Sequence, residues 1–557
     1  MASEPAGTLS LVLHAHLPFV RHPEYSDFLE EDWLFEAITE TYVPLLRALD
    51  RLWKDGIDFR LAISLTPPLC EMLADPLLQE RTLRRLHALV DLAGRQARER
   101  RGTPFEAAAT YYAWDLEETR HLYEEVLHGR ILDRFREYQE RGCIEILTCA
   151  ATHGFLPLMA TDEARHAQVA IGARNYEKHF GRRPQGIWLP ECAYAPGLDH
   201  LLAREGIRWF CVESHGLQRG TPNPRYGTAR PVCTPSGVAA FGRDRETSEQ
   251  VWSAESGYPG DPLYREFYRD LGYDLPYDEV RSLLHGDGVR RSIGLKFHRI
   301  TGKVPLDRKE PWVPAWALER ADVHAGNFLH NRQAQVRHLS DVLEFPPHLT
   351  APYDAELFGH WWFEGPRFLE SFLRKAACDQ RELELLTPSE YLARHPVHEE
   401  VTPALSSWGA RGFFEVWLNE KNDWIYRHLH RAEERMVDLV QRFPKADGVL
   451  GRALRQAGRE LLLAQASDWA FIMTMGTSVP YAEKRTRDHL SRFTGLYEQI
   501  LGNRLEEPWL EDLEWRDSIF QELDPQAWNP AHVRIPGLGT AVGSTRVVPD
   551  ETGPGPA

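Results

Sequence analysis

The sequence has few cysteines, fewer basic residues than acidic ones, and no long apolar run. Its seven cysteines are scattered over 557 residues without a CxxC pair, which argues against a disulfide framework and against a cysteine-bound structural zinc. The 65 Lys and Arg are outnumbered by 82 Asp and Glu, so the chain lacks the positive charge with which proteins bind nucleic acid or anionic membranes. We therefore expect a neutral or small partner, no nucleic acid and no membrane.

The amino-terminal segment lacks the features of an export signal. Residues 1–19 contain no basic stretch, and their apolar run is too short for a signal peptide or a membrane span. With 43% hydrophobic residues and no long polar tract, the composition is that of a folded protein. We predict a cytoplasmic protein. The sequence leaves the oligomeric state open, and a monomer is compatible with it.

Short apolar runs rich in branched residues alternate with helical stretches through the first two thirds of the chain. The predicted strands are residues 9–14, 61–65, 144–149, 186–189, 207–212, 238–241, 349–353 and 383–386. Repeated strand and helix units predict an α/β fold with a parallel barrel, and an open doubly wound sheet is the alternative.

Composition changes along the chain predict four parts. Residues 1–395 form the catalytic barrel, and residues 74–139, rich in Arg, Glu and Leu at helical spacing, form a helical insertion within it. Strand signals then stop, so residues 396–524 are predicted to be a helical domain that completes the cleft. The Pro- and Gly-rich residues 525–557 are predicted to be a disordered tail.

Two histidines end the first predicted strand. The two-residue period of a strand places His14 and His16 on the same side, at the carboxyl end, which is the catalytic face of a parallel barrel. Such a pair can begin a metal site, contact a sugar as neutral imidazoles, or form a structural hydrogen-bonded pair. The two residues alone do not decide between these roles.

The fourth predicted strand delivers a carboxylate, Glu191, at its carboxyl end, directly after Pro190. A carboxylate is costly to bury there without a partner. An ordinary salt bridge would explain it, but the position at the catalytic face favours a chemical role.

Residues 351–365 follow another strand and combine Asp354, Glu356 and His360 with several aromatic rings. This mixture suits a wall that binds a sugar, although an interface with the helical domain would also explain the rings. A retaining glycosidase needs a nucleophilic carboxylate and a carboxylic acid/base about 5–5.5 Å apart. Glu191 and Asp354, each at the end of its own strand, can meet that requirement.

Five segments together resemble the signature regions of glycoside hydrolase family 57. They are HAHLPF at residues 14–19, THGFLPL at 152–158, WLPECAY at 188–194, APYDAELFGHWWFEG at 351–365 and ASDW at 466–469. Two further stretches, QVWSAESGYPGDPLYREFYRD at 250–270 and SWGARGFFEVWLNEKN at 407–422, look like the family's 1,4-α-glucan branching enzymes. The resemblance covers roughly residues 8–520.

The resemblance implies a fold and a set of residue roles. The fold is an incomplete, seven-stranded (β/α) barrel, with Glu191 as the nucleophile and Asp354 as the acid/base. The family needs no metal or other cofactor, so His14 and His16 become sugar contacts, with His153 beside them. Further substrate contacts carry over onto Arg243, Trp252, Gly260, Trp408, Trp417, Asp468 and Trp469.

One loop and the exact activity stay open. Tyr226, in a Pro- and Gly-rich stretch, resembles the loop that reaches over the acceptor in branching relatives, but the same stretch also fits an ordinary surface loop. The resemblance implies a branching enzyme that moves α-1,4-glucan chains onto 6-hydroxyls by retaining double displacement, in glycogen or α-glucan synthesis. The alternatives are a 4-α-glucanotransferase or α-amylase-type hydrolase, a non-enzymatic glucan-binding protein, and a metal-dependent deacetylase or amidohydrolase.

Overall fold

The computed structural model of the protein describes residues 4–253 and 257–533. Nine strands lie in this part of the chain. They are β1 (Gly7–Ala15), β2 (Leu61–Leu65), β3 (Ile144–Cys149), β4 (Gly186–Trp188), β5 (Trp209–Val212), β6 (Val232–Cys233), β7 (Ala239–Gly242), β8 (His348–Asp354) and β9 (Leu383–Leu385).

Seven of these strands run parallel to their neighbours, in the order β7, β5, β4, β3, β2, β1, β8. The short β6 pairs antiparallel with β7, and β9 pairs with the first residues of β1. A hydrogen bond from Asp244 N to Thr350 O, 2.8 Å long, joins the end of β7 to β8. The predicted α/β fold with an incomplete (β/α)7 barrel is confirmed.

The described residues also form twenty α-helices, which surround and extend the sheet. In chain order they are α1 (Asp32–Ala37), α2 (Val43–Lys54), α3 (Pro67–Ala74), α4 (Pro76–Glu99), α5 (Glu106–Arg120), α6 (Ile131–Glu140), α7 (Asp162–Phe180), α8 (Leu198–Arg204), α9 (Ser214–Gln218), α10 (Arg245–Trp252), α11 (Leu271–Asp274), α12 (Tyr277–Val280), α13 (Pro314–Leu343), α14 (Gly365–Cys378), α15 (Pro388–Arg394), α16 (Tyr426–Arg442), α17 (Gly448–Ala464), α18 (Ser467–Met475), α19 (Val479–Leu501) and α20 (Glu507–Arg516). Among the described residues, none of these helices is both long and apolar enough to cross a membrane.

The strands are apolar on both faces because both faces are covered. Leu11 and Leu13 of β1 belong to the large core shared with the surrounding helices, whereas Val12 joins a separate cluster with Trp188 and Phe241. This two-sided burial is typical of parallel sheets. Because side chains alternate along a strand, His14 points to the same side as Val12.

Two stretches differ from the sequence-based expectation. The helices α4, α5 and α6 lie within residues 76–140, and the connection from β7 to β8 is a second long excursion that was not predicted; it contains α10 to α13. Connections as long as this one build walls around the catalytic face of a barrel.

The prediction of a disordered tail is wrong for residues 525–533. Two 3-10 turns, Pro525–Trp528 and Pro530–His532, lie there. Trp528 is fully buried, and its ring contacts Gly458 on α17 so closely that an added Cβ would lie 3.1 Å from it. A large indole in a helix groove buries enough apolar area to order the segment. Residues 534–557 lie outside the described part of the chain.

The helical region begins later than predicted and contains a break that matters for function. Residues 396–425 run as irregular chain along the barrel, with single bridges such as Thr221 to Thr402 and Tyr194 to Ser406. The chain bends between α17 and α18, although apolar residues continue at helical spacing across the bend. Gly154 and Ala466 form an antiparallel bridge at this bend. The bend places the first residues of α18 beside the loop after β3.

Candidate active site

Glu191 lies in a short turn at the carboxyl end of β4. Within the turn Pro190–Cys192 its backbone is left-handed, with φ of 62°, a conformation that is unfavourable for a residue with a side chain. A hydrogen bond from Trp408 N to Glu191 O, 2.9 Å long, stabilises the turn. Strain of this kind is common where a side chain must be aimed into a site.

Two side chains donate hydrogen bonds to the Glu191 carboxylate. Trp408 Nε1 donates to Oε2 at 2.6 Å, and Ser467 Oγ lies 3.3 Å from Oε1. Both donors come from outside the barrel strands, Trp408 from the irregular chain after the barrel and Ser467 from the start of α18. The nucleophile predicted from the sequence is therefore held by the carboxyl-terminal third of the chain.

Asp354 ends β8, and its Cα is in register with that of His14 on the neighbouring β1. No donor among the described residues makes a hydrogen bond to its side chain. Asp354 and Glu191 thus differ in surroundings: one carboxyl has two donors and the other has none.

Burial dominates the ionisation of both carboxyls. It raises the pKa of Glu191 to about 8, with the charges of Asp468 and Asp354 adding to the rise and the hydrogen bonds from Trp408 and Ser467 opposing it. It raises the pKa of Asp354 to about 6, opposed by Arg243 and His16. Because the two groups interact, they are best treated as a pair that holds one proton across neutral pH.

A chain of hydrogen bonds links Glu191 to the first strand. His14 Nε2 lies 3.0 Å from His153 Nε2, and His153 Nδ1 lies 2.8 Å from Ser467 Oγ. Burial holds the pKa of both histidines well below its usual value, so both rings are neutral and each carries a single N–H. When Ser467 donates to Glu191, His153 must donate from Nδ1 and His14 from Nε2. His14 Nδ1 is then an acceptor, and it is buried without a partner among the described residues.

His16 connects the barrel to the helical region. Its Nε2 lies 3.1 Å from both carboxylate oxygens of Asp468, and its Nδ1 lies 3.0 Å from Thr66 Oγ1. Its ring stacks on His153 with centroids 3.8 Å apart. One ligand atom from each of His16, His153 and Asp468 lies within 4.8 Å of the others, so the metal alternative for the HxH pair keeps a geometric basis.

Arg243 brings a positive charge to the site from just beyond β7. Its Nη1 donates to Glu213 Oε2 at 3.1 Å and its Nε to Ser248 Oγ at 2.7 Å. Its guanidinium lies 5.8 Å from the centroid of the Trp408 ring. The predicted residues Glu191, Asp354, His14, His16, His153, Arg243, Trp408 and Asp468 are therefore brought together at one end of the barrel.

Other predicted substrate contacts lie elsewhere or are covered. Tyr226 packs on Phe345, 4.3 Å between centroids, near the amino end of β8, whereas Asp354 ends that strand. Trp417 is 1% exposed with its ring against Phe155, and Trp469 is fully buried with its Nε1 donating to Leu463 O. In this conformation none of the three indole or phenol rings presents an open face beside the carboxylates, which corrects the expectation for Tyr226, Trp417 and Trp469.

Trp252 and Gly260 lie in the long connection that follows Arg243. Trp252 ends α10 and is 57% exposed, and Gly260 ends the turn Tyr258–Gly260 and is also exposed. Both are accessible to a large ligand.

Sequence reasoning missed two residues of the site. Ser467 contacts both Glu191 and His153, and only its place in the ASDW segment pointed to it. Glu356 was noted as part of the dense segment without a role. Its carboxylate accepts hydrogen bonds from Tyr42 OH and from His16 N, the latter at 3.2 Å, and burial raises its pKa to about 8.

Two interacting carboxyls at the carboxyl ends of barrel strands, surrounded by neutral imidazoles and indoles, are the arrangement of an enzyme that acts on glycosidic bonds. Comparison with family models agrees. The model of glycosyl hydrolase family 57 matches residues 10–403, and the model of the C-terminal region of 1,4-alpha-glucan branching enzymes matches residues 428–528. The chain belongs to glycosyl hydrolase family 57.

Individual relatives are similar over nearly the whole chain. The 1,4-alpha-glucan branching enzyme TK1436 of Thermococcus kodakarensis is 37% identical over 554 residues, covering 93% of this chain and 78% of the relative. The crystal structure of a family 57 branching enzyme from Pyrococcus horikoshii gives a TM-score of 0.84 at 35% identity, over 94% of this chain and 97% of the other. The structure of the alpha-amylase AmyC from Thermotoga maritima gives 0.88 at 46% identity, over 94% and 99%.

Proposed function

We propose that this family 57 enzyme is a 1,4-α-glucan branching enzyme in which Glu191 is the nucleophile and Asp354 the acid/base. The branching-type C-terminal region over residues 428–528 supports the activity. The contrast between the two carboxyls supports the roles: Trp408 and Ser467 donate to Glu191, and Asp354 receives no such hydrogen bond from the described residues.

That contrast decides where the shared proton lies in the working enzyme. Without a substrate, burial together with the neighbouring charges and hydrogen bonds gives Glu191 a higher pKa than Asp354. Hydrogen bonds from neutral donors stabilise a carboxylate anion and not a carboxylic acid. With a glycosidic oxygen next to Asp354 to accept its hydrogen bond, the proton is favoured on Asp354 and the charge on Glu191.

The first step cleaves the donor chain. The Asp354 carboxyl gives its proton to the glycosidic oxygen as the bond from that oxygen to C1 breaks, and a Glu191 oxygen forms a bond to C1. The leaving chain departs with a free 4-hydroxyl. The donor segment is then a glycosyl ester of Glu191 with inverted configuration at C1.

The second step forms the branch. Asp354, now a carboxylate, takes the proton of a 6-hydroxyl on an acceptor glucan as that oxygen attacks C1 and the bond to Glu191 breaks. A second inversion restores the α configuration in an α-1,6 linkage. Water competes at this step, so the acceptor must be bound well enough to exclude it; the exposed Trp252 and the half-buried Trp408 are suited to hold a sugar there.

Incubation with amylose tests the activity. We expect new α-1,6 linkages, detected as shorter chains after enzymatic debranching, with little release of reducing ends. The Glu191→Gln variant is the matched control and should give neither product. Reducing ends without branch points would contradict branching.

Hydrolysis of α-1,4 bonds is the second candidate, and two observations favour it. AmyC, named an alpha-amylase, is 46% identical to this chain. Tyr226, the residue expected over the acceptor, lies instead on Phe345. Both activities use the same carboxylates, so the ratio of reducing ends to branch points in the amylose experiment separates them.

We also propose that the enzyme works in the cytoplasm and uses no metal ion. Fractionation of its native cells tests the location, and activity recovered with the membranes or the medium would contradict it.

A further inference from the structure

An exposed aromatic surface lies beyond the active site, where the connection from β7 to β8 meets the loop after β8. Trp361 is 55% exposed and Tyr268 is 69% exposed. Phe267, between them, stacks on Trp361 with centroids 4.6 Å apart and an interplanar angle of 21°. Because Phe267 covers one face of the indole, the exposed area of Trp361 is largely its opposite face. We call these three residues the aromatic platform.

The platform is held in place. Trp361 N donates to Glu356 O at 3.1 Å, and Arg265 Nη2 donates to His360 O at 3.0 Å. Lys296 Nζ lies 4.2 Å from the Phe267 ring centroid, on a side chain that is itself buried. A ring fixed in this way loses little conformational entropy when a ligand stacks on it.

Two other exposed tryptophans, Trp53 and Trp114, each have an arginine over one face. Trp53 has the Arg141 guanidinium 4.3 Å from its ring centroid, and Trp114 has that of Arg47 at 5.5 Å. Trp114 is 52% exposed, almost as much as Trp361. Among the described residues no arginine or lysine lies over the Trp361 ring. Trp361 therefore differs from Trp53 and Trp114 in the face that it leaves free for a ligand, and the difference does not depend on the exposed fraction of the side chain.

The platform is continuous with the active site. Glu356, whose carbonyl accepts from Trp361 N, also accepts a hydrogen bond from His16 N through its carboxylate. His16 in turn contacts Asp468 on the far wall of the site. A single loop therefore carries Asp354, Glu356 and Trp361 in that order, from the reacting carboxyl to the platform.

We propose that the aromatic platform of Trp361, Phe267 and Tyr268 binds an α-glucan chain outside the reaction centre and so retains long substrates. The apolar faces of glucose residues match open aromatic rings, and the ligand is uncharged, as is the open face. The proposal rests on the α-glucan substrate and does not depend on which carboxyl is the nucleophile.

Affinity electrophoresis in native gels that contain amylopectin tests the proposal without turnover. Loss of one stacking contact should weaken retention of Trp361→Ala by about 3- to 10-fold, the fold-change that corresponds to the energy of one aromatic pair. The matched control Trp114→Ala removes an equally exposed indole, and its retention should equal that of the unchanged protein.

Kinetics with two donors separates a binding role from damage to the site. For Trp361→Ala we expect a raised KM for amylose with kcat unchanged, and unchanged turnover of α-maltosyl fluoride, a donor too short to reach the platform. Equal losses with both donors would mean that the loop around Glu356 had been disturbed, and would overturn the proposal.

Other results of these experiments also test the proposal. If Trp361→Ala lowers the thermal midpoint strongly, Tyr268→Ala, with its more exposed side chain, replaces it in the gels. Unchanged retention of the folded variant overturns the proposal. A second result would also overturn the proposal: the unchanged protein is a dimer, Trp361→Ala converts it to a monomer, and retention by amylopectin stays the same. The aromatic platform would then be a contact between two copies of the chain.

Discussion

Among the described residues, two groups of three histidine and carboxylate side chains are compact enough to hold an ion, and their surroundings differ. His16, His153 and Asp468 lie at the catalytic end of the barrel, and Glu460, His489 and Asp517 lie among α17, α19 and the chain after α20; in each, the ligand atoms are within 4.8 Å of one another. Composition alone would assign both the same role.

The helical cluster is closed and compensated. Glu460 and His489 are fully buried with His489 Nδ1 2.7 Å from Glu460 Oε2. Arg485 Nε donates to His489 Nε2 at 3.1 Å, and Arg492 forms an ion pair with Asp517. Two arginines neutralise the carboxylates, so the cluster contributes to packing the helices together.

The barrel cluster is open and only partly compensated. Asp468 is 15% exposed, Glu191 is 13% exposed, and His14 Nδ1 lacks a partner among the described residues. Glu191 lies close enough to Asp354 and Asp468 to feel both charges, and Arg243 lies near Asp354; burial raises the pKa of Glu191 and of Asp354. Chemistry is expected where charge is left uncompensated and accessible.

The largest effect should come from the two carboxyls of the barrel. Glu191→Gln removes the nucleophile and Asp354→Asn removes the proton donor, so each should lower kcat by at least about a thousandfold. Thermal midpoints should stay close to that of the unchanged enzyme, because neither carboxyl forms an ion pair that is needed for folding. Near-normal turnover in either variant would overturn the assignment.

A paired substitution sharpens the comparison of the clusters. Glu460→Ala leaves His489 and Gln456 without their buried hydrogen-bond partner, so the free energy of unfolding should fall by about 3 kcal/mol, measured by chemical denaturation, while kcat per folded molecule is kept. Asp468→Ala removes the partner of His16 at the cleft, so activity should fall more than stability.

The opposite effects on activity and stability would contradict the roles assigned to the two clusters. Loss of activity in a fully stable Glu460→Ala variant would make the helical cluster a second functional site. Severe destabilisation of Asp468→Ala with normal specific activity would make the barrel contact structural.

The pH dependence of kcat/KM should be bell-shaped. The carboxyl pair holds one proton between the pKa of about 6 and the pKa of about 8. Below this window the nucleophile gains a proton, and above it the acid loses its proton, so the rate falls on both sides.

Ser467 is a positioning residue, and we expect it to set the pH of the acidic limb in the profile of kcat/KM. Because the hydrogen bond from Ser467 favours the Glu191 carboxylate, Ser467→Ala should make protonation of the nucleophile easier and move the acidic limb of the coupled pair to higher pH, with kcat reduced much less than in Glu191→Gln. Ser467→Thr keeps the hydroxyl and should restore the limb. An acidic limb at the same pH in all three proteins would exclude this role.

The smallest effect is expected from metal removal. His16, His153 and Asp468 are spaced closely enough for an ion, but the His16 Nε2 contact to both Asp468 oxygens is that of a hydrogen-bonded pair. Activity should be unchanged after treatment with EDTA. Loss that divalent cations restore would support the metal alternative.

Buried parallel strands are the part of this fold that the sequence predicts best. β2 and β3 have the predicted bounds, because a strand covered on both faces is a continuous apolar run. The two-residue β6 and the long connection before β8 give no comparable signal. The order of residues 525–533 depends on where Trp528 is buried, which composition does not reveal.

The sequence predicts those residues of the site that lie at the ends of strands. His14, Glu191 and Asp354 each follow an apolar run, so their convergence follows from the parallel topology. Ser467 depends on a bend between two helices whose apolar periodicity is continuous. The positions of Tyr226 and Trp417 depend on their packing against Phe345 and Phe155, and such long-range contacts are not encoded in local pattern.

Trapping of the covalent intermediate tests the central claim most directly. In Asp354→Asn, α-maltosyl fluoride can still glycosylate the nucleophile because fluoride leaves without an acid, whereas the second step lacks its base. Mass spectrometry of the digested protein should find the maltosyl group on the peptide that contains Glu191. A maltosyl group on Asp468, Glu356 or any other residue would contradict the assignment of Glu191 as the nucleophile.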